Sequence, residues 1–220
     1  MNNSERRDNL IWVKNELEKL YGPIDKDWGE RPLRTLVQTV LSQNTNDDNR
    51  DRAERDLWSR FTDYEDLATA PVSKIADAIS TGGLQNQKAK TIKGILSSLA
   101  EKGKYSLDYL KSLDPEEAWK ELMSFDGVGK KTAAVVLLFS LDKPIFPVDT
   151  HVRRVTGRLG LVMNGEKHHE TLTELVRDDD MFQFHLHLIH HGRETCKARN
   201  PRCEDCVLVE RCPAAEGFLG

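Results

Sequence analysis

Apolar residues recur at three- and four-residue spacing in almost every segment of this chain. Over 6–21 that spacing puts Leu10, Val13, Leu17 and Leu20 on one face, and Gly22-Pro23 stops the pattern, which predicts a helix. A polar loop over 24–31 follows. Pro32 suits a first helical turn, and Leu33, Leu36, Val37, Val40 and Leu41 make one apolar face of the next helix. The run Gln43-Asn44-Thr45-Asn46 interrupts the period and offers a cap for a helix over 47–61. Two short helices are predicted over 64–69 and 71–80, closed by Gly82-Gly83, and then an amphipathic one over 87–102. Pro115 opens a helix to 125, and Gly127-Val128-Gly129 joins it to a strongly apolar one over 130–141. Past Pro144 and Pro147, helices are predicted over 149–160, 166–176 and 181–191. With no alternating strand pattern, fixed-period repeat or low-complexity tract, the fold class is predicted to be all-α, with about ten helices.

Composition bounds the partners more than the fold. At 220 residues and 38% hydrophobic, the chain can bury a core in one globular unit or two small lobes. A formal net charge of −4 weighs against a chain that coats nucleic acid with uniform basicity. It leaves room for a local basic face, because phosphate binding depends on where charge sits. Arg153, Arg154 and Arg158, the pair Lys130-Lys131, Lys88, Lys90 and the 197–202 loop can supply one. No signal-peptide core and no 18-residue apolar run is seen, so a soluble, intracellular and cytoplasmic protein is expected, nucleoid-associated if prokaryotic, with no membrane partner.

The glycine junction carries a specific physics. Two glycines between helices permit positive φ and close backbone approach. The N–H groups that open the second helix then stand at its positive dipole end, where a phosphate-sized anion binds without side chains. Lys130 and Lys131 lie in that helix's first turn. A plain helical hairpin would look the same, so the motif alone decides little.

All four cysteines fall within 196–212, as Cys196, Cys203, Cys206 and Cys212. Disulfide frameworks staple distant segments and persist in oxidising compartments, so this clustering favours a metal or cluster site. Tetrahedral zinc is one reading, although structural zinc sites usually carry two close pairs and only Cys203 and Cys206 form one here. An iron–sulfur cluster held by four thiolates is the other. The histidines of 185–191 do not place three on one helix face, and no metal is assigned to them or to His151.

Several spaced motifs recur in order over roughly 30–212. Phe125-Asp126-Gly127-Val128-Gly129-Lys130-Lys131-Thr132-Ala133, followed by Val148-Asp149-Thr150-His151, resembles the helix-hairpin-helix and Val-Asp-Thr-His stretch of the endonuclease III family of DNA glycosylases. Asp126 stands where that family usually has proline. Leu41-Ser42-Gln43-Asn44-Thr45-Asn46-Asp47 and Gly83-Leu84-Gln85-Asn86-Gln87-Lys88-Ala89 resemble its two lesion-handling loops, and the cysteine spacing resembles its [4Fe-4S] loop.

The resemblance implies a fold of two helical lobes. One spans 30–143 and includes the helix-hairpin-helix at about 119–140; the other joins 1–29 to 144–220 and holds the cluster. The active site is expected in the cleft between them. Lys131 corresponds to the catalytic lysine and Asp149 to the essential aspartate. A neutral amine can attack the sugar C1′, expel the base and leave a Schiff base whose elimination cuts the strand. Base removal needs the nucleotide flipped out; Gln43 or Asn44 would fill the gap, Leu84 would wedge, and Lys88 would lie near the backbone. Gly127, Gly129, Lys130, Arg154, Lys197, Arg199 and Arg202 would meet the DNA. The expected partner is duplex DNA bearing a damaged base or abasic site, and the expected state a monomer. The leading function is excision of oxidised pyrimidines with strand cleavage. Competing readings are another base preference (mismatched thymine or uracil, modified cytosine, alkylated purine) and a non-catalytic iron–sulfur DNA-binding protein.

Overall fold

The computed structural model describes residues 3–26 and 31–219. Among them lie eleven α-helices and no strand, and no helix is long and apolar enough to cross a membrane. The backbone separates into two units, Trp28–Lys143 and a second that joins Met1–Asp27 to Pro144–Gly220. Part of the polar loop expected over 24–31, residues 27–30, lies outside the described residues.

The helices of the second unit are α1 (Asn3–Tyr21), α9 (Thr150–Arg158), α10 (His168–Leu175) and α11 (Met181–Glu194). The unit between them in sequence holds α2 (Pro32–Leu41), α3 (Asp47–Arg60), α4 (Tyr64–Thr69), α5 (Val72–Ala78), α6 (Gln85–Glu101), α7 (Pro115–Met123) and α8 (Lys130–Ser140).

In this glycine-turn unit α8 is the axis. Every residue from Thr132 to Ser140 is buried, as a helix apolar all round must be. α2 packs along it, and a buried hydrogen bond of 2.6 Å joins Thr35 Oγ1 to Ser140 Oγ. The helix starts follow local chemistry. Asn46 accepts from the Asn49 amide at 2.8 Å, and Asp63 from the Asp66 amide at 2.8 Å. Asp114 and Glu117 form a reciprocal capping box at α7. Three lysines turn inward. Lys88 Nζ donates to Leu41 O and Gly82 O, both at 2.7 Å; Lys93 donates to Ala68 O and Ala70 O; and Lys143 donates to Lys111 O and Leu113 O. Each meets carbonyls at a helix end or turn, where the helical ladder leaves acceptors over.

In the cysteine unit α11 packs against α1 and α9. The α9–α11 approach is close at Gly192, where an added Cβ would lie 2.8 Å from His151 Cβ. Asn9 Nδ2 donates to Leu159 O at 3.1 Å, and His187 Nε2 meets Gly22 O at 2.8 Å. The rings of Phe146 and Phe184 stand edge to face at 6.1 Å. Beyond Glu194 the described chain has only short 3₁₀ turns.

One face differs from expectation. Leu20 is 47% exposed, while α1 buries Arg6, Asn9, Leu10, Val13 and Leu17. At 3.6 residues per turn the buried stripe passes from Leu17 to Tyr21, which lies against His187, His190 and His191.

Candidate active site

The turn before α8 is built for one residue type. Gly127 has φ +82°, and a Cβ there would sit 2.3 Å from Thr91 Oγ1 on α6, so both backbone and space demand glycine. Phe125 and Val128 are buried on either side and anchor it, with Val128 N donating to Phe125 O at 3.1 Å. Gln43 Nε2 reaches Gly127 O at 3.4 Å, a long bond that ties the α2–α3 loop to the turn. Gly129 is the N-cap of α8 and supplies no side-chain acceptor. Gly127, Gly129 and Lys130 are exposed, and Lys131 is half-buried in the first helical turn. The arrangement offers backbone donors and the positive end of a helix to an anion, with an amine one residue deeper.

Asp149 follows the buried Phe146, Pro147 and Val148 and is the N-cap of α9. Its Oδ1 accepts from the Val152 amide at 2.7 Å. The second carboxylate oxygen is not used by this cap, so capping and a chemical role are compatible in one side chain.

The two loops expected to handle a lesion are both in strained backbone. Asn44 has φ +49° and Leu84 φ +50°. For leucine, the left-handed region costs about 1–2 kcal/mol. Leu84 is nevertheless 48% exposed, an apolar side chain held out at the start of α6. Asn44 is exposed and Gln43 half-buried.

One cation expected at DNA is spent inside the protein, and a second is engaged with backbone carbonyls. Lys88 is 1% exposed and bonded to two carbonyls, and burial lowers its pKa, so it does not present its charge to a phosphate. Arg154 donates to Cys196 O and Gly192 O, each at 2.8 Å, and also meets His151 Nδ1 at 3.0 Å. Its i+4 neighbour Arg158 donates to Lys197 O at 2.7 Å and Ala198 O at 3.2 Å, and it lies 3.3 Å from Cys196 Sγ. Those two arginines clasp the cysteine segment instead of widening the basic face. Lys197, Arg199 and Arg202 remain exposed, although Arg202 also pairs with Asp205 at 3.0 Å.

The four cysteines are unbridged and half-buried, and they line one pocket with Leu159 and Leu208 among its apolar walls. Burial raises the Cys206 and Cys212 thiols, and the neighbouring cysteines push the same way, so four negative sulfurs here call for a cationic centre. His191 Nε2 lies 3.5 Å from Cys206 Sγ, and burial holds this histidine down to about 4, neutral at pH 7. Among the described residues, no three His, Cys, Asp or Glu side chains close round a single-ion point. The fit to a cluster therefore rests on the thiol set and its segment. Sequence reasoning missed Thr91 and His191 as parts of these sites, and it read Arg158 as part of a basic face, not as a hold on the cysteine segment. The i, i+4 spacing of Arg154 and Arg158 was a usable signal; Thr91 gave none.

Comparison with known proteins agrees with this geometry. Residues 37–178 match the family model for the HhH-GPD superfamily base excision DNA repair protein, and 196–212 match the iron-sulfur binding domain of endonuclease III. Endonuclease III of Thermotoga maritima is 37% identical over 183 residues, 82% of each chain. A solved non-covalent endonuclease III–DNA complex superposes with a TM-score of 0.81 at 26% identity, covering 96% of this chain and 97% of that one. A trapped endonuclease III–DNA covalent intermediate gives 0.83 at 25% identity, covering 97% of this chain and 99% of that one.

Proposed function

The chain belongs to the HhH-GPD superfamily as a base excision repair DNA glycosylase/AP lyase, and from that premise we propose that it removes oxidised pyrimidines from duplex DNA through a Schiff base on Lys131. It carries a [4Fe-4S] cluster on Cys196, Cys203, Cys206 and Cys212, whose bonds fix the 196–212 segment. The observation that carries the mechanism is Lys131 itself: a half-buried amine in the first turn of a helix whose open N-terminus can hold the neighbouring phosphate.

In this reading Lys131 Nζ attacks C1′ as the neutral amine, forming a C–N bond while the glycosidic bond breaks and the base departs with a proton. Asp149 accepts the amine's proton or stabilises positive charge on the sugar as it develops. The C1′–O4′ bond then breaks, O4′ taking up a proton as the nitrogen loses one, and the ring-opened imine acidifies C2′; loss of that C2′ proton expels the 3′ phosphate and cuts the strand. The solved endonuclease III–DNA covalent intermediate supports a covalent route. Exposed Asn44 and Leu84 suit filling and wedging the opened duplex, with Gln43 retained at the glycine turn. Lys197 and Arg199 meet phosphate.

Borohydride trapping on an abasic duplex tests the assignment. Lys131→Ala should abolish the trapped adduct and strand cleavage while binding persists; trapping at the wild-type level sinks it. Base release from a panel of duplexes reads the specificity. The oxidised-pyrimidine assignment falls if mismatched thymine or uracil, modified cytosine or alkylated purine is released faster.

A further inference from the structure

Lys88 is the largest fully buried ionisable side chain in the glycine-turn unit, and the mechanism does not use it. Buried ammonium groups are expensive unless fully engaged, so its partners explain its place. They are not random carbonyls. Leu41 is the last residue of α2, three positions before the left-handed Asn44. Gly82 closes the turn two positions before the left-handed Leu84. The backbone amide of Lys88 donates to Leu84 O at 3.0 Å. One residue thus grips the base of one loop with its side chain, and the other loop with both side chain and backbone.

The space around it is closed as well. A Cβ on Gly82 would lie 3.2 Å from Ala53 Cβ, 3.7 Å from Lys88 Nζ and 4.0 Å from Leu41 O, so the turn is packed closely on α3 and in contact with the end of α2. Backbone held in sparsely populated conformations persists only where its surroundings over-determine it. Asn44 and Leu84 are two such residues on separate loops, and Lys88 is bonded into the footings of both.

We infer that Lys88 is a positioning residue that locks the Asn44 and Leu84 loops to one another, so that the gap-filling and wedging side chains enter the duplex as one preset unit. The inference rests on the proposed roles of those two side chains, and it replaces the expectation that Lys88 touches DNA. An ammonium suits the task because it offers three donors in a tetrahedral set and cannot turn into an acceptor.

Such a role is selective. Opening a duplex needs the paired loops; cleaving a preformed abasic site in a single strand does not. Lys88→Met keeps the length and removes the donors. It should slow single-turnover base excision from a lesion-bearing duplex at least tenfold, while single-strand abasic cleavage stays within about twofold. Equal loss of both activities would mean a merely structural lysine, and loss of neither would mean no role; either overturns the inference. Leu84→Ala and Asn44→Ala, assayed alongside, read the loop assignment separately. If they lose duplex excision and Lys88→Met does not, the lock fails; if they retain it, the loop roles fail and the lock with them. Should Lys88→Met lose its helical circular dichroism, Lys88→Gln, which keeps two N–H donors on a shorter stem, is read by the same contrast. It should show the same selective loss at smaller size, and equal loss of both activities or loss of neither again overturns the inference.

Discussion

The glycine-turn unit and the cysteine unit reach order by different means. In the first, the helix that carries Lys131 is also the core: α8 is buried from Thr132 to Ser140, and lysines 88, 93 and 143 turn inward to satisfy leftover carbonyls. In the second, the chain past Glu194 has only short turns, and its carbonyls are met by Arg154 and Arg158. All four cysteines and all seven histidines lie between 151 and 212, and none lies in 31–143. One unit builds its site on an apolar core that stands by itself. The other borrows rigidity from ligand bonds and charge-assisted clasps. Lys131 therefore sits in the unit whose order comes from its own apolar core.

Removing iron should break the comparison most visibly. Cys203→Ser or chelation is expected to abolish iron–sulfur absorbance and make 195–219 protease-sensitive, with most far-UV helical signal retained. A segment that stays protected without iron would put its order in the arginine clasps instead. Next in size is Asp149, which separates capping from chemistry. Asparagine caps as well as aspartate. Asp149→Asn should keep the melting temperature yet lose roughly 10²–10⁴-fold in base excision, while Asp149→Ala should lose about 1 kcal/mol of stability as well. Equal activity in Asp149→Asn would reduce the residue to a cap.

Gly127→Ala tests the self-sufficient unit. Positive φ and the 2.3 Å approach to Thr91 Oγ1 should together cost about 2 kcal/mol or more, with at least a tenfold fall in activity. Adding Thr91→Ala should recover part of the stability; no recovery would assign the whole loss to backbone strain.

The smallest effect is acid sensitivity. Burial lowers the pKa of His187 and of His168, so the unfolded state binds more protons below the ordinary histidine value of 6.5. Stability should be unaffected by them above that pH and fall as pH drops beneath it, in the cysteine unit first. Hydrogen exchange at pH 7.5 and 5.5 measures this; uniform weakening of both units would blur the contrast.

Much of the helix layout was legible because apolar period, proline starts and Asx caps act locally, as at Pro32, Asn46 and Pro115. Lys131, Asp149 and the cysteines stood out because their motifs sit on short contiguous stretches. Lys88 was misjudged, and the carbonyl bonds of Arg154 went unread, for a common reason. A sequence displays a cation but not the carbonyls left over at the end of a distant helix, and Leu41 lies 47 residues from Lys88. The same holds for Thr91, whose importance comes from the absence of a Cβ on another segment.

The hydroxyl pair between Thr35 and Ser140 has a further consequence. It joins the early part of α2 to the last residue of α8, while Gln43, just past the other end of α2, reaches Gly127 just ahead of α8. The helices therefore run in opposite directions and are pinned at both ends, like a slide rule with two stops. Sliding by a single residue would shift one scale about 1.5 Å against the other. The buried faces of α2 and α8 set that register by packing, and the two polar bonds add a stop at each end of it.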